Sequence, residues 1–259
     1  MKPAFALFPV LVVALLLANA PAHGSSKMDN RIEASARKSY VFQNYLKGDD
    51  INIQSKDGVV TLTGSVLEES HKSMAQETVA ELPGVKKVDN RLEVKGDRPA
   101  ENSDLWLRTK VKTTLLFHRN VNAVKTDVSV KDGIVTLRGE AASNAQKDLT
   151  TEYAKDVTGV KDVTNEMTVS AAPEKKSGKK HETVGEKIDD ASITAQVKLT
   201  LLNHRSTSAI NTKVKTSKGV VTVSGNARNA AEKDLVTKLA GDVKGVKNVT
   251  NRMTVTGSK

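Results

Sequence analysis

Asp57-Gly58-Val59-Val60-Thr61-Leu62-Thr63-Gly64 is written twice more in this chain, as Asp132-Gly133-Ile134-Val135-Thr136-Leu137-Arg138-Gly139 and as Lys218-Gly219-Val220-Val221-Thr222-Val223-Ser224-Gly225. The offsets are 75 and 86 residues. The same two offsets carry Pro83-Gly84-Val85 onto Thr158-Gly159-Val160 and Lys244-Gly245-Val246. They also relate Val88-Asp89-Asn90-Arg91-Leu92-Glu93-Val94, Val163-Thr164-Asn165-Glu166-Met167-Thr168-Val169 and Val249-Thr250-Asn251-Arg252-Met253-Thr254-Val255. Offsets that hold across a whole unit mean that its internal loops have fixed length. The eleven extra residues between units two and three therefore lie outside both. They fall in Ala171–Glu186, AAPEKKSGKKHETVGE, a charged linker. The first linker, Gly96–Asn102, is shorter and contains Pro99. The repeats are then 31–95, 103–170 and 187–256. Each is expected to hold its own core, with Ala171–Glu186 the most protease-sensitive part of the mature chain.

Within a unit the pattern reads helix, strand, strand, helix, strand. In repeat two Leu107, Val111, Leu115 and Leu116 form an apolar helical stripe. Its counterparts are Ile32, Ala36, Tyr40 and Val41, then Ile193, Val197, Leu201 and Leu202. Ser103-Asp104 and Asp189-Asp190 stand where a helix N-terminus needs side-chain acceptors. An Asp-Gly pair between alternating strands predicts a tight hairpin, because glycine accepts positive φ. Ser143-x-x-Gln146 and Asn229-x-x-Glu232 are capping-box patterns for the second helix, whereas repeat one has Glu68 at that place. Leu149, Tyr153, Ala154 and Val157 supply its buried stripe, matched by Leu235, Leu239, Ala240 and Val243. So small a unit can cover only one sheet face, with both helices on it. The expected fold is α+β: three tandem αββαβ domains, each a three-stranded sheet with two helices on one face.

This ordered set of hairpin, x-Gly-Val turn and final Val-x-Asn-x-hydrophobic-x-Val strand resembles the BON domain, in all three units. The resemblance implies a non-enzymatic envelope protein associated with osmotic stress. It further implies either association with phospholipid or chaperone-like handling of envelope proteins. Lipid-anchored members need an acylated cysteine, and this chain has no cysteine at all.

Residues 1–22, MKPAFALFPVLVVALLLANAPA, hold one lysine, an apolar run and small residues around Ala20-Pro21-Ala22. That is the layout of a secretory signal peptide cleaved near Ala22. The run is short of the roughly 20 residues a spanning helix needs. The mature protein is expected in the periplasm, without a transmembrane segment and away from nucleic acid.

Nothing in the sequence assembles a catalytic, cofactor or metal site. The five histidines, His23, His71, His118, His181 and His204, never pair at helical spacing. His118-Arg119 and His204-Arg205 are equivalent positions and read as cations near helix C-termini. Asn90, Asn165 and Asn251 read as amides that satisfy backbone groups at a strand edge or bulge. Trp106, the single tryptophan, lies beside the buried stripe. It is a candidate interface anchor, toward lipid, a partner or a neighbouring repeat.

Charge is the stronger signal. Arg31–Lys95 carries ten basic and ten acidic residues and Ser103–Ser170 ten and nine, but Lys187–Lys259 carries thirteen and five. Repeat three has no aromatic residue for stacking on nucleic acid bases. Strand alternation turns Lys213 and Lys215 outward on the first strand and Arg252 outward on the last, with Val249, Met253 and Val255 inward; Lys218 sits in the turn. The equivalent outward residues are Asp127, Ser129 and Glu166 in repeat two, and Asn52, Gln54 and Arg91 in repeat one. Lys213, Lys215, Lys218 and Arg252 are the candidate contacts for an anionic phospholipid surface. The other reading is a module that holds unfolded envelope clients on open sheet faces and edges.

Overall fold

The computed structural model describes residues 23–95, 100, 103–170, 188–208 and 211–256. The expected signal segment, most of the first linker and the linker at 171–186 lie outside the described residues. Repeat one runs α1 (His23–Lys38), α2 (Tyr40–Asn44), β1 (Asp50–Lys56), β2 (Val59–Val66), α3 (Glu69–Ala80), β3 (Lys87–Asn90) and β4 (Glu93–Val94). Repeat two runs α4 (Asp104–Phe117), β5 (Thr126–Lys131), β6 (Ile134–Ala141), α5 (Asn144–Lys155), β7 (Asp162–Asn165) and β8 (Thr168–Val169). Repeat three runs α6 (Asp190–Asn203), β9 (Thr212–Ser217), β10 (Val220–Ala227), α7 (Ala230–Asp242) and β11 (Asn248–Val255). In each sheet the second strand is central, antiparallel to the first and parallel to the last.

The hairpin turns hold both central residues at positive φ: Asp57 and Gly58 at 54° and 81°, Asp132 and Gly133 at 55° and 81°, Lys218 and Gly219 at 53° and 78°. That is the turn whose twist matches the flanking strands. Each turn is gripped by one carboxylate on the first helix. The amides of Asp57 and Gly58 donate to Asp29 at 2.9 and 3.0 Å, and those of Asp132 and Gly133 to Asp104 at 2.8 and 2.9 Å. Lys218 and Gly219 donate to Asp190 at 2.7 and 2.8 Å. The helix caps are instead Ser103, accepting from Trp106, and Asp189, accepting from Ser192. Asp104 and Asp190 are therefore hairpin clamps rather than helix-end acceptors. The glycine closing each motif is required by space. A Cβ at Gly64, Gly139 or Gly225 would overlap the carbonyl oxygen of Asp50, Lys125 or Asn211.

A second clamp ties the last strand to the second helix. Asn165 donates to the Lys147 carbonyl at 2.9 Å and to Thr151 Oγ1 at 2.7 Å, and accepts from the Met167 amide at 2.9 Å. Asn251 repeats this with Lys233, Thr237 and Met253, and Asn90 with Lys72, Gln76 and Leu92. In repeats one and two the last strand is interrupted just beyond this asparagine, so β3 and β4 both lie along β2, and β7 and β8 along β6. At the second helix of repeat three, burial pushes the Glu232 carboxyl up, but hydrogen bonds from Arg228 and Ser208 outweigh it and hold it down at about 2.

Three sequence expectations change. The first helix of repeat one is not continuous: it breaks at buried Ser39, and the freed amides of Tyr40 and Val41 donate to Asp189 and Ser192 of repeat three. Leu202 does not belong to the buried stripe but is 55% exposed, and Val255, at the sheet end, is 44% exposed. Nor does each repeat close its core alone. Three apolar clusters form, but the first is completed by Phe117 from repeat two and by Ala191 and Leu199 from repeat three. Helix α6 is buried on almost every side, and Lys198 reaches from it to Glu77 of α3 and to Glu81 at that helix's C-terminal cap, at 3.0 and 2.7 Å.

Replacing Asp190 by Ala strands two turn amides, that of Gly219 part-buried and that of Lys218 exposed, and urea unfolding is expected to show a loss of about 1–2 kcal/mol. Leu202→Ala is expected to change stability by less than about 0.5 kcal/mol. Equal losses for the two would contradict the assigned roles.

Candidate functional site

On β9, Lys213 and Lys215 are exposed on either side of buried Val214, and on β11 Arg252 is exposed beside buried Met253. The register lines them up. Ser224 of β10 lies opposite Lys213 on one side and Arg252 on the other, and Lys215 lies opposite Thr222. Lys213 and Arg252 thus flank one row across all three strands, with Lys215 one row along. Lys218 stands at the hairpin tip of the same sheet.

None of these four cations makes an ion pair with a described residue. The other two sheets differ in kind. On repeat two's open face Arg138 is held by Glu166 at 2.7 Å, and on repeat one's Arg91 is held by Asp89 at 2.6 Å. Sequence reasoning missed one neighbour, Lys247. Its amide donates to the Gly219 carbonyl at 2.8 Å, and its exposed side chain lies along the turn. The signal was present, because Lys86, Lys161 and Lys247 stand at the repeat offsets.

Lys218 is also out of place conformationally. Repeats one and two put Asp at this left-handed position, where a short polar side chain is tolerated; lysine has no such relief. The third turn accepts strain and gains a cation.

Trp106 is half-buried in a crevice where all three repeats meet, with Ser70 and Ser73 of α3 and Leu199 and Leu202 of α6 among its neighbours. The Lys110 ammonium sits 3.7 Å above its ring. Its ring packs against the apolar cluster of its own repeat, on the side where that crevice opens.

In the His-Arg pairs the arginines are exposed cations but the histidines are not. Repeats two and three meet in a seam that reads the same from either side. His118 bridges Val243 and His204 bridges Val157, residues related by the repeat offset. The Arg119 guanidinium donates to the carbonyls of Gly241, Val243 and Val246 at 2.6, 2.9 and 2.7 Å, and Arg205 to those of Val157 and Val160 at 3.4 and 3.1 Å. These arginines close the ends of the partner repeat's second helix. His118 is 1% exposed and stacks on Tyr153 at 3.7 Å. Burial above all, then His204 and Lys244, push its pKa down to about 4, against a backbone contact at Asp242. It is neutral near pH 7, the reverse of a helix-end cation. Burial also lowers His204, although Asp156 opposes this. Among the described residues no cluster of three His, Asp or Glu side chains could hold a metal ion.

Replacing Lys218 by Gly removes the strained side chain, and thermal or urea unfolding is expected to show a gain of up to about 1 kcal/mol. A loss of stability would mean the lysine stem contributes packing that the strain argument omits.

Residues 28–96, 103–171 and 189–257 each match the family model of the BON domain. Over 191 residues the chain is 31% identical to the osmotically-inducible protein Y of Escherichia coli, which spans 73% of this chain and 87% of that protein. A 21 kDa hemolysin of Actinobacillus pleuropneumoniae is 31% identical over 116 residues, 44% of this chain and 59% of its own length. Among solved structures, CdsD, a structural protein of the type III secretion system of Chlamydia trachomatis, aligns over 89% of this chain and 92% of its own, at 16% identity and a TM-score of 0.25.

Proposed function

This chain belongs to the BON-domain family, and we propose that it is a non-enzymatic, exported periplasmic protein that attaches weakly to anionic phospholipid surfaces through the open sheet face of repeat three. One observation carries this: Lys213, Lys215 and Arg252 stand without an ion pair to any described residue on one sheet face, while the equivalent positions are Asp127, Ser129 and Glu166 in repeat two and Asn52, Gln54 and Arg91 in repeat one, with Arg91 held by Asp89. The apolar run within residues 1–22 supports export, with cleavage near Ala22. The relation to an osmotically inducible protein supports a role in osmotic or envelope stress.

The mechanism follows from the geometry. A flat sheet lets cations on adjacent strands meet one headgroup layer together, and no exposed aromatic on this repeat would insert below it. Each lysine or arginine near an anionic membrane contributes roughly 1 kcal/mol, so three or four give weak, reversible attachment. Such attachment fades as salt screens the charges.

A second reading rests on a different surface. A groove of about 500 Å3 runs between α3 of repeat one and α4 and β5 of repeat two, lined by Leu116 and Val124 together with charged Glu68, Lys112, Lys125 and Asp127. Val124, at its edge, is 90% exposed. Apolar exposure of this kind suits a module that holds unfolded clients.

The test is the triple variant Lys213→Glu, Lys215→Glu, Arg252→Glu, set against phosphatidylglycerol vesicles at low salt. At least a tenfold loss of binding is expected with the fold retained, together with loss of wild-type binding at high salt. Binding unchanged in a folded variant would remove this face as the contact. Suppression of client aggregation, unaffected by the triple variant, would then favour the groove.

A further inference from the structure

The seam between repeats two and three encloses four buried polar atoms without a hydrogen-bond partner: Thr114 Oγ1, Thr200 Oγ1, His118 Nδ1 and His204 Nε2. They are two pairs related by the repeat offset of 86 residues. They line one small cavity of about 10 Å3, with Tyr153, Asp156 and Leu239 among the other walls. Elsewhere the seam is well satisfied. The Arg119 amide donates to the Asp242 carbonyl and the Arg205 amide to that of Asp156, both at 3.0 Å. The Lys244 amide donates to Phe117 and that of Thr158 to Asn203. The two imidazoles are thus set at the middle of a reciprocal backbone bridge, in a space too small for a hydration shell.

We propose that this seam is a proton-operated latch: protonating His118 and His204 opens the seam between repeats two and three while each repeat keeps its secondary structure. The inference is independent of any membrane contact.

The surroundings favour opening. Facing His118 are Tyr153 from α5, His204 from the end of α6, Asp242 from α7 and Lys244 just beyond it, with Arg119 next in sequence. Facing His204 are Asp156 beyond α5 and Arg205 next in sequence. Asp242 is already engaged by the Tyr153 hydroxyl at 2.9 Å. Asp156 is 3.5 Å from His204 Nε2, too long for a strong hydrogen bond. Two new positive charges would therefore join Arg119, Arg205 and Lys244; Asp156 offsets the one on His204 in part, while the Asp242 carboxylate beside His118 is committed to Tyr153.

The sign follows from linkage. An opened seam returns His118 toward its ordinary value of 6.5, whereas the closed seam holds it at about 4. The open state thus binds more protons between these limits, so closure is complete above the upper one and is lost as pH falls through the lower. Protonating His118 alone shifts the closed-to-open ratio by up to about 300-fold, at tenfold per pH unit.

The chain has no cysteine, so Lys131→Cys and Ser217→Cys place two spin labels uniquely, at the exposed hairpin ends of repeats two and three. Their distance distribution is measured on the full chain from pH 7.5 to 3.5. His118 protonation is followed by NMR and helix content by circular dichroism. The distribution is expected to lengthen and broaden in step with His118 protonation while helix content holds. A distribution that stays fixed through His118 protonation overturns the proposal, as does loss of helix content at the same pH. The His118→Gln, His204→Gln variant separates the imidazoles from the carboxylates: it is expected to stay closed where the wild type opens. Opening at the wild-type pH shows that the transition does not depend on the imidazoles and ends the latch. If the glutamine pair is already open at pH 7.5, His118→Phe, which keeps a ring on Tyr153, is read by the same criterion.

Discussion

Helix α6 carries two charged side chains in fourteen residues, and neither is left to water. Asp190 grips the hairpin of its own repeat, and Lys198 is held between Glu77 and Glu81 of repeat one. Most of the rest is small or apolar, and Ala191, Ser192, Ile193, Thr194, Ala195, Val197, Leu199 and Leu201 are all buried. A helix buried on almost every side needs neighbours on almost every side. One repeat offers only its own sheet and second helix, so α3 of repeat one and α4 of repeat two must supply the remainder. The packing of the three repeats follows from that shortage of charge.

Much of the fold could be read directly. The hairpins, the order of elements and the fixed loop lengths come from short-range chemistry: glycine where φ must be positive, alternation where one face is buried. The basic face was legible for the same reason, since a period of two decides which side Lys213, Lys215 and Arg252 take. What escaped was everything between repeats. Ser39 carries no sign that the helix breaks there, because the partners of the freed amides lie about 150 residues away. His118 and His204 read as cations near helix C-termini because a helix end in isolation faces water. The missed clue was comparative. Helix α4 carries Arg108, Lys110 and Lys112 where α6 has Thr194, Gln196 and Lys198, so the two could not share one environment.

Repetition has been used here in two ways. Repeats two and three use equivalent residues reciprocally, in the manner of a two-fold dimer folded into one chain. Repeat one cannot join that arrangement, because it has Gln43-Asn44 where the others have His-Arg. Its contribution is α3, laid against α6, and its own core is finished by side chains from both partners. Equal folds therefore hold unequal positions. The face left free on the third repeat is the one that carries unbalanced charge.

The long reach of these contacts has a consequence for synthesis. The aspartate clamps join residues 28 or 29 apart, so each hairpin can settle soon after it is made. The amides of Tyr40 and Val41 wait 149 and 151 residues for Asp189 and Ser192. A chain emerging from its N-terminus thus presents the first repeat with an open core until the third has arrived. The part made first is the last to be finished, and for that interval the apolar groups that later meet Phe117, Ala191 and Leu199 stay uncovered.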